Sequence, residues 1–160
     1  MSSGSLSIRP FVRDDQAMVR RLILGGLGEH FGFIDEARNP DLDDISLHYL
    51  AVGDYFIVAE RGDEIVGTGA LVARDGNTGQ IVRVSVSPTY RREGIGAALV
   101  SQLLGEARAR GFSQVLVETN LDWHDAIRLY VRAGFVEYAR DAESVYLARD
   151  LVDCDHQTGA

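Results

Sequence analysis

Lysine is absent from this 160-residue chain, and all 16 basic residues are arginine. That excludes a lysine Schiff base and the lysine of a G-x-x-x-x-G-K-[ST] phosphate loop. Cysteine is almost absent as well. Cys154 stands alone, so no intrachain disulfide forms, and its polar setting, DCDHQTGA, points to a frayed end rather than a nucleophile. No apolar run approaches the roughly 20 residues that a membrane-spanning helix needs. The N-terminal MSSGSLSIRPFVRDD lacks the basic start and apolar stretch of a secretory signal, so the expectation is a cytoplasmic protein that does not engage a membrane. The four histidines, His30, His48, His124 and His156, show no metal-ligand spacing, and no metal is expected. Repeats and low-complexity tracts are also missing.

What is present suits one soluble domain. Hydrophobic residues make up 46% and charged residues 25% of the chain. At this length folding buries roughly 70% of the surface an extended chain exposes, enough for a core without staples. The domain is expected over residues 6–150, with flexible ends at 1–5 and 151–160. The net charge of -8 argues against nucleic acid as a partner and would help attract a cationic small molecule, although an acidic surface equally serves solubility.

LSIRPF alternates as a first strand. RDDQAMVRRLILGG reads as a helix capped by Asp14 or Asp15 and stopped by Gly25 and Gly26, and LGEHFGFIDEAR reads as a loop. A second helix opens at Asn39-Pro40, with Leu42, Ile45 and Tyr49 on its apolar side. DYFIVAE and IVGTGALVA form a hairpin about Gly62 and Asp63, and QIVRVSV is the next strand, with Ile81 on one side and Val82, Val84 and Val86 on the other. A long helix follows from about Gly94 to Arg110, burying Ile95, Leu99 and Leu103 and ending at Gly111. SQVLVET is a strand. Asp122 is expected to cap a helix whose inner face carries Ala126, Leu129, Tyr130 and Ala133 and which stops at Gly134, and FVEYAR and SVYLARD are two last strands. This order predicts an α/β fold built on a mixed sheet with helices on both faces.

The stretch RREGIG, Arg91 to Gly96, stands between a strand and a helix. A helix start offers unpaired backbone N–H groups and the positive end of the helix dipole, which suit a phosphate or diphosphate. Gly94 and Gly96 let the backbone approach the anion, and Arg91 and Arg92 can add charge-assisted bonds. A surface turn with solvated arginines is the plainer reading. A dinucleotide-binding G-x-G-x-x-G is not met, because Leu99 stands where the third glycine belongs.

With these residues in view the sequence resembles the GNAT family of N-acetyltransferases. Arg91, Gly94 and Gly96 match its [RQ]-x-x-G-x-[GA] signature, and VRVSVSPTYRREGIG is similar to its strand, proline, turn and helix. ETNLDWHDAIRLYVRAGF carries a second motif of the family in register, with Ala126, Leu129, Tyr130, Gly134 and Phe135. The resemblance spans about residues 6 to 150. It implies a GNAT-like fold, a central twisted mixed sheet of six to seven strands flanked by about four helices, and an enzyme that moves the acetyl group of acetyl-CoA directly to a primary amine.

By that resemblance Arg91, Arg92, Glu93, Gly94, Ile95, Gly96 and Ala97 hold the diphosphate of coenzyme A. Val84, Ser85 and Val86 pair their backbone with the pantetheine amides, the Val84 and Val86 side chains being core at the same time. Asn120 hydrogen-bonds the pantetheine arm, unless it serves only as a turn or cap residue. Tyr130 is the general acid for the departing thiolate, or else a core tyrosine. The general base is open: where the family often has a glutamate this chain reads TGQIVRV, with Gln80 and no acid. Glu118 is the first candidate, and His124, Glu29, His30 and Asp35 follow. The loop GEHFGFIDEARNPDL lines the acceptor pocket or forms a solvated lid. A small-molecule amine is the expected partner. A non-catalytic acyl-CoA sensor and a protein N-terminal or lysine acetyltransferase are the alternatives, and a homodimer is left open.

Overall fold

A computed structural model of the chain describes residues 5–31, 39–91 and 93–151, with the side chains of 27–31 outside the description. Its seven strands are β1 (Leu6–Pro10), β2 (Tyr55–Arg61), β3 (Glu64–Ala73), β4 (Thr78–Val86), β5 (Gln114–Asn120), β6 (Val136–Arg140) and β7 (Ser144–Asp150). They are hydrogen-bonded in the order β1-β2-β3-β4-β5-β7-β6. The longer helices are α1 (Gln16–Phe31), α2 (Ile95–Ala109) and α3 (His124–Arg132). The residues cluster in two compact units, one of residues up to 70 with 83–99, the other of 71–82 with residues from 100 on. β3, β4 and α2 contribute residues to both.

In the first unit β1 and β2 pair antiparallel from Leu6 against Arg61 to Pro10 against Ile57. The hairpin turn falls at Gly62, whose φ of 61° is a conformation that glycine adopts without strain. The core holds Val19, Ile23, Leu42, Ile45, Phe56, Ile57, Val66, Ile95 and Leu99. Phe56 is packed edge-on by Phe11 and Tyr49, with ring centroids 5.5 and 5.1 Å away. Two sequence expectations fail here. Asp14 and Asp15, offered as the cap of α1, both lie in a 3-10 turn before the helix, and the Asp15 carboxylate reaches back to accept the Val12 N–H at 2.9 Å and two bonds from Arg9. The helix also runs on through Gly25 and Gly26, because glycine weakens a helix by only about 1 kcal/mol and does not end it unless the chain turns left-handed there.

The expected second helix is split. Pro40–Asp43 forms a 3-10 turn, Asp44 interrupts, and Ser46–Leu50 is a π-helical turn closed by Ala51 N–H to the Ser46 carbonyl at 2.8 Å. Its apolar side is as expected, with Leu42, Ile45 and Tyr49 buried.

In the second unit β4 pairs parallel with β5 from Thr78 against Gln114 to Gln80 against Leu116. Gly79 permits this: a Cβ there would stand 2.9 Å from Phe112 and 3.0 Å from Leu71. β5 and β7 pair antiparallel along their whole length, and β6 pairs with β7 through an irregularity between Glu137 and Ala139. α2 ends as the sequence suggests, at a left-handed Gly111. α3 is preceded by Trp123 rather than capped by Asp122, and stops at a left-handed Gly134. Leu151, assigned by the sequence to a flexible end, is buried and its N–H bonds the Ser113 carbonyl at 2.8 Å. No helix of the described residues is long and apolar enough to cross a membrane.

Candidate cofactor site and catalytic residues

The RREGIG loop belongs to the first unit together with the end of β4. Ser87 N–H bonds the Val66 carbonyl at 2.8 Å, and a 3-10 turn at Pro88–Tyr90 redirects the chain toward α2. Gly94 has φ +83°, and a Cβ there would meet nothing within 4 Å, so glycine is required for its backbone and not for space. The Gly94 carbonyl accepts the Ala98 N–H at 3.0 Å, the first bond of the α2 ladder. The N–H groups of Ile95, Gly96 and Ala97 precede that bond and have no partner in the helix. Gly94 and Ala97 are exposed and Gly96 is half-buried, so this end of α2 is open, while the Ile95 side chain is buried and anchors it.

Two residues that the sequence did not single out fix this loop. A Cβ at Gly67, in mid-β3, would lie 2.9 Å from Leu99, 3.0 Å from Ile95 and 3.3 Å from the Ser85 carbonyl, so the start of α2 seats on a strand stripped of its side chain. Burying Ile95 and Leu99 contributes about 3–6 kcal/mol to holding the helix start in place. The second is Arg61. Its guanidinium donates to Glu93 at 2.9 Å and lies 5.6 Å from the centroid of the Tyr90 ring, whose hydroxyl donates to Glu64 at 3.0 Å. Glu93 is the one acid within RREGIG, and this ion pair neutralises a charge that would oppose an incoming anion. A glycine among apolar residues and an arginine at the end of a strand were the available signals, and neither stands out without the fold.

Of the other assigned residues, Val84, Ser85 and Val86 are half-buried, so the expectation that Val84 and Val86 are core does not hold. Arg91 is exposed and its Nε donates to the Val86 carbonyl at 3.3 Å; Arg92 lies outside the described residues. The alternation of β4 fails at Arg83, whose φ of 58° makes it the non-glycine residue with a left-handed backbone among those described. Its carbonyl accepts the hydroxyl of buried Thr68 at 2.8 Å, and its guanidinium donates twice to Asp41, at 2.7 and 3.0 Å. Tyr49 donates to the same carboxylate at 2.5 Å. Burial of Asp41 would raise its pKa, yet the bonds from Arg83 and Tyr49 win and hold it below the ordinary carboxylate range.

Glu118, Asn120 and Tyr130 belong to the second unit. Tyr130 is 5% exposed, packed edge-on against Phe135 at 5.5 Å, and burial alone raises its phenol above the ordinary range. It therefore stays protonated at neutral pH. Glu118 and Asn120 share one face of β5; Glu118 is exposed and accepts the Ser144 hydroxyl at 3.2 Å, while Asn120 is half-buried. Between them Thr119 points the other way, buried, and its hydroxyl has no hydrogen-bond partner among the described residues. His124 is exposed at the start of α3. The side chains of Glu29, His30 and Asp35 lie outside the described residues.

The family model of the GNAT acetyltransferases matches residues 27–135. The chain belongs to the GNAT acetyltransferase family. A rat relative, N-acetyltransferase 8, is 39% identical over 109 residues, 64% of this chain and 49% of that protein, so the chain spans about half the length of this relative. The GNAT-family acetyltransferase of Staphylococcus aureus superposes with a TM-score of 0.85 at 24% identity, covering 92% of this chain and 99% of that one. PaiA N-acetyltransferase of Thermoplasma acidophilum, solved in complex with coenzyme A, gives 0.77 at 14% identity over 91% and 99%. The α/β fold with a seven-stranded mixed sheet is thus the GNAT fold, as the sequence motifs implied.

Proposed function

We propose that this GNAT member is an acetyl-CoA-dependent N-acetyltransferase that passes the acetyl group directly to a primary amine of a small molecule. The observation that carries the reading is the open α2 N-terminus: three ladder-free N–H groups behind a left-handed glycine, with the neighbouring acid neutralised by Arg61. The fit to a diphosphate is good, because nothing fills the space that a side chain at Gly94 would take and the helix dipole favours an anion.

When bound, acetyl-CoA supplies an activated thioester carbonyl and a thiolate leaving group. The chain's own residues do the rest. Ile95, Gly96 and Ala97 hold the diphosphate by backbone N–H groups, Arg91 and Arg92 add positive charge, and Val84 to Val86 offer backbone to the pantetheine amides. Asn120 steadies the same arm. Tyr130 keeps its proton at neutral pH and delivers it to the departing sulfur as the new C–N bond replaces the C–S bond. One ammonium proton of the acceptor leaves before attack to water or to Glu118, whose exposed position on β5 gives it access to solvent, and the second, released from nitrogen as the amide forms, restores the proton that Tyr130 gave to the sulfur. The net negative charge of the chain favours a cationic acceptor.

Thiol release from acetyl-CoA is measured against a panel of small amines and peptides, beside Tyr130→Phe. Release with small amines, and its loss in the variant, is the expected result. Tight CoA binding with no release for any acceptor would replace the enzyme by a sensor, and release with peptides alone would replace the small molecule by a protein.

A further inference from the structure

The left-handed backbone of Arg83 calls for an explanation that the cofactor site alone does not provide. Arginine seldom adopts φ near +58°, and such a residue persists only where its surroundings force it. Three contacts do so here: Thr68 on the Arg83 carbonyl, Asp41 on two guanidinium nitrogens, and Tyr49 on the Asp41 Oδ2 that also accepts from Arg83 Nε. Asp41 and Tyr49 come from the 3-10 and π-helical turns at residues 40–50, a segment otherwise unconnected with β4 in sequence. Both partners of the ion pair are largely shielded, with Arg83 19% and Asp41 24% exposed at the side chain, so the pair is less screened than a surface one.

Val84 to Val86 follow directly. A strand alternates its two faces and its two hydrogen-bonding edges residue by residue, so the turn at Arg83 decides which backbone groups of those three residues point where. We infer that Asp41, Tyr49 and Arg83 form a clamp that holds β4 in its distorted path and thereby positions the Val84–Val86 backbone for the acyl-CoA arm. The three are positioning residues, and Asp41 is an anchor rather than the missing proton acceptor. This inference rests on the cofactor reading above.

The test separates the backbone from the charge. Arg83→Ala and Arg83→Gly remove the same guanidinium and leave Asp41 in the same state, but only glycine adopts φ +58° freely. CoA affinity is measured by calorimetry on the full chain, with thermal unfolding to confirm that each variant is folded at the titration temperature. Arg83→Ala is expected to weaken binding by about tenfold or more, with Arg83→Gly remaining several-fold tighter than Arg83→Ala. Asp41→Asn loosens the clamp from its other end and weakens binding by a similar factor, and Tyr49→Phe, which removes one bond and no charge, by a smaller one. Equal affinities for Arg83→Ala and Arg83→Gly, or wild-type affinity in both Asp41→Asn and Tyr49→Phe, would overturn the clamp while leaving the cofactor reading intact. A wild-type chain that binds no CoA would overturn both.

Discussion

Gly94→Ala and Gly105→Ala are the same chemical change, and the fold gives them opposite signs. At both positions a Cβ would find nothing within 4 Å, so neither substitution creates a clash. Gly105 sits exposed in the interior of α2, where alanine removes backbone freedom from the unfolded chain and stabilises by about 0.5–1 kcal/mol. Gly94 has φ +83°, where an L-residue costs about 1–2 kcal/mol. The two variants should therefore differ by about 1.5–3 kcal/mol in unfolding free energy, read from urea titrations at fixed m-value. If the loop instead relaxes to relieve the strain, the N–H groups of Ile95 to Ala97 turn away and CoA binding weakens by about tenfold, since each 1.4 kcal/mol is a factor of ten. Calorimetry with CoA detects that outcome, and Gly105→Ala should bind as wild type. Equal stability and equal CoA affinity for both variants would refute the argument that the left-handed glycine sets the start of α2.

Other expectations follow from single contacts. Arg61→Ala frees Glu93 and Tyr90 together; losing an exposed ion pair and a cation–π contact costs about 1 kcal/mol, so KM for acetyl-CoA should rise several-fold with kcat nearly unchanged. Tyr130→Phe keeps the edge-on contact with Phe135 and should lower kcat by about a hundredfold at unchanged CoA affinity, if the hydroxyl is the general acid. The same variant tests a pH dependence. Because burial raises the phenol of Tyr130, the folded chain keeps a proton that the unfolded chain loses above about pH 10, so this contribution is full below that pH and falls as pH rises beyond it. Melting temperatures between about pH 9 and 11 should thus decline less steeply in Tyr130→Phe than in wild type. Thr119→Val replaces an unpartnered buried hydroxyl by a methyl and should stabilise by about 0.5–1 kcal/mol in denaturant; a loss of stability would mean that the hydroxyl has a partner.

Most strands and the long helix were legible because their information is local. Alternation in YFIVAE, a left-handed glycine at Gly62, and Ile95, Leu99 and Leu103 at helical spacing each specify structure without reference to distant residues. The motif around Gly94 was legible for the same reason. What the sequence hid depends on partners far along the chain. Arg83 takes a conformation its own propensity opposes, and it is explained by Thr68, Tyr49 and Asp41, which stand 15 to 42 positions earlier. Gly67 reads as an ordinary glycine in a strand until α2 is laid over it. The continuation of α1 through Gly25 and Gly26 shows the reverse error, a local stop signal overruled by the helix around it.

Amide hydrogen exchange along residues 94–98, with and without CoA, tests the account most directly. Slowed exchange at Ile95, Gly96 and Ala97 on addition of CoA is the predicted result, with the already bonded Ala98 changing less. Unchanged exchange at those three amides in a chain that binds CoA would contradict it.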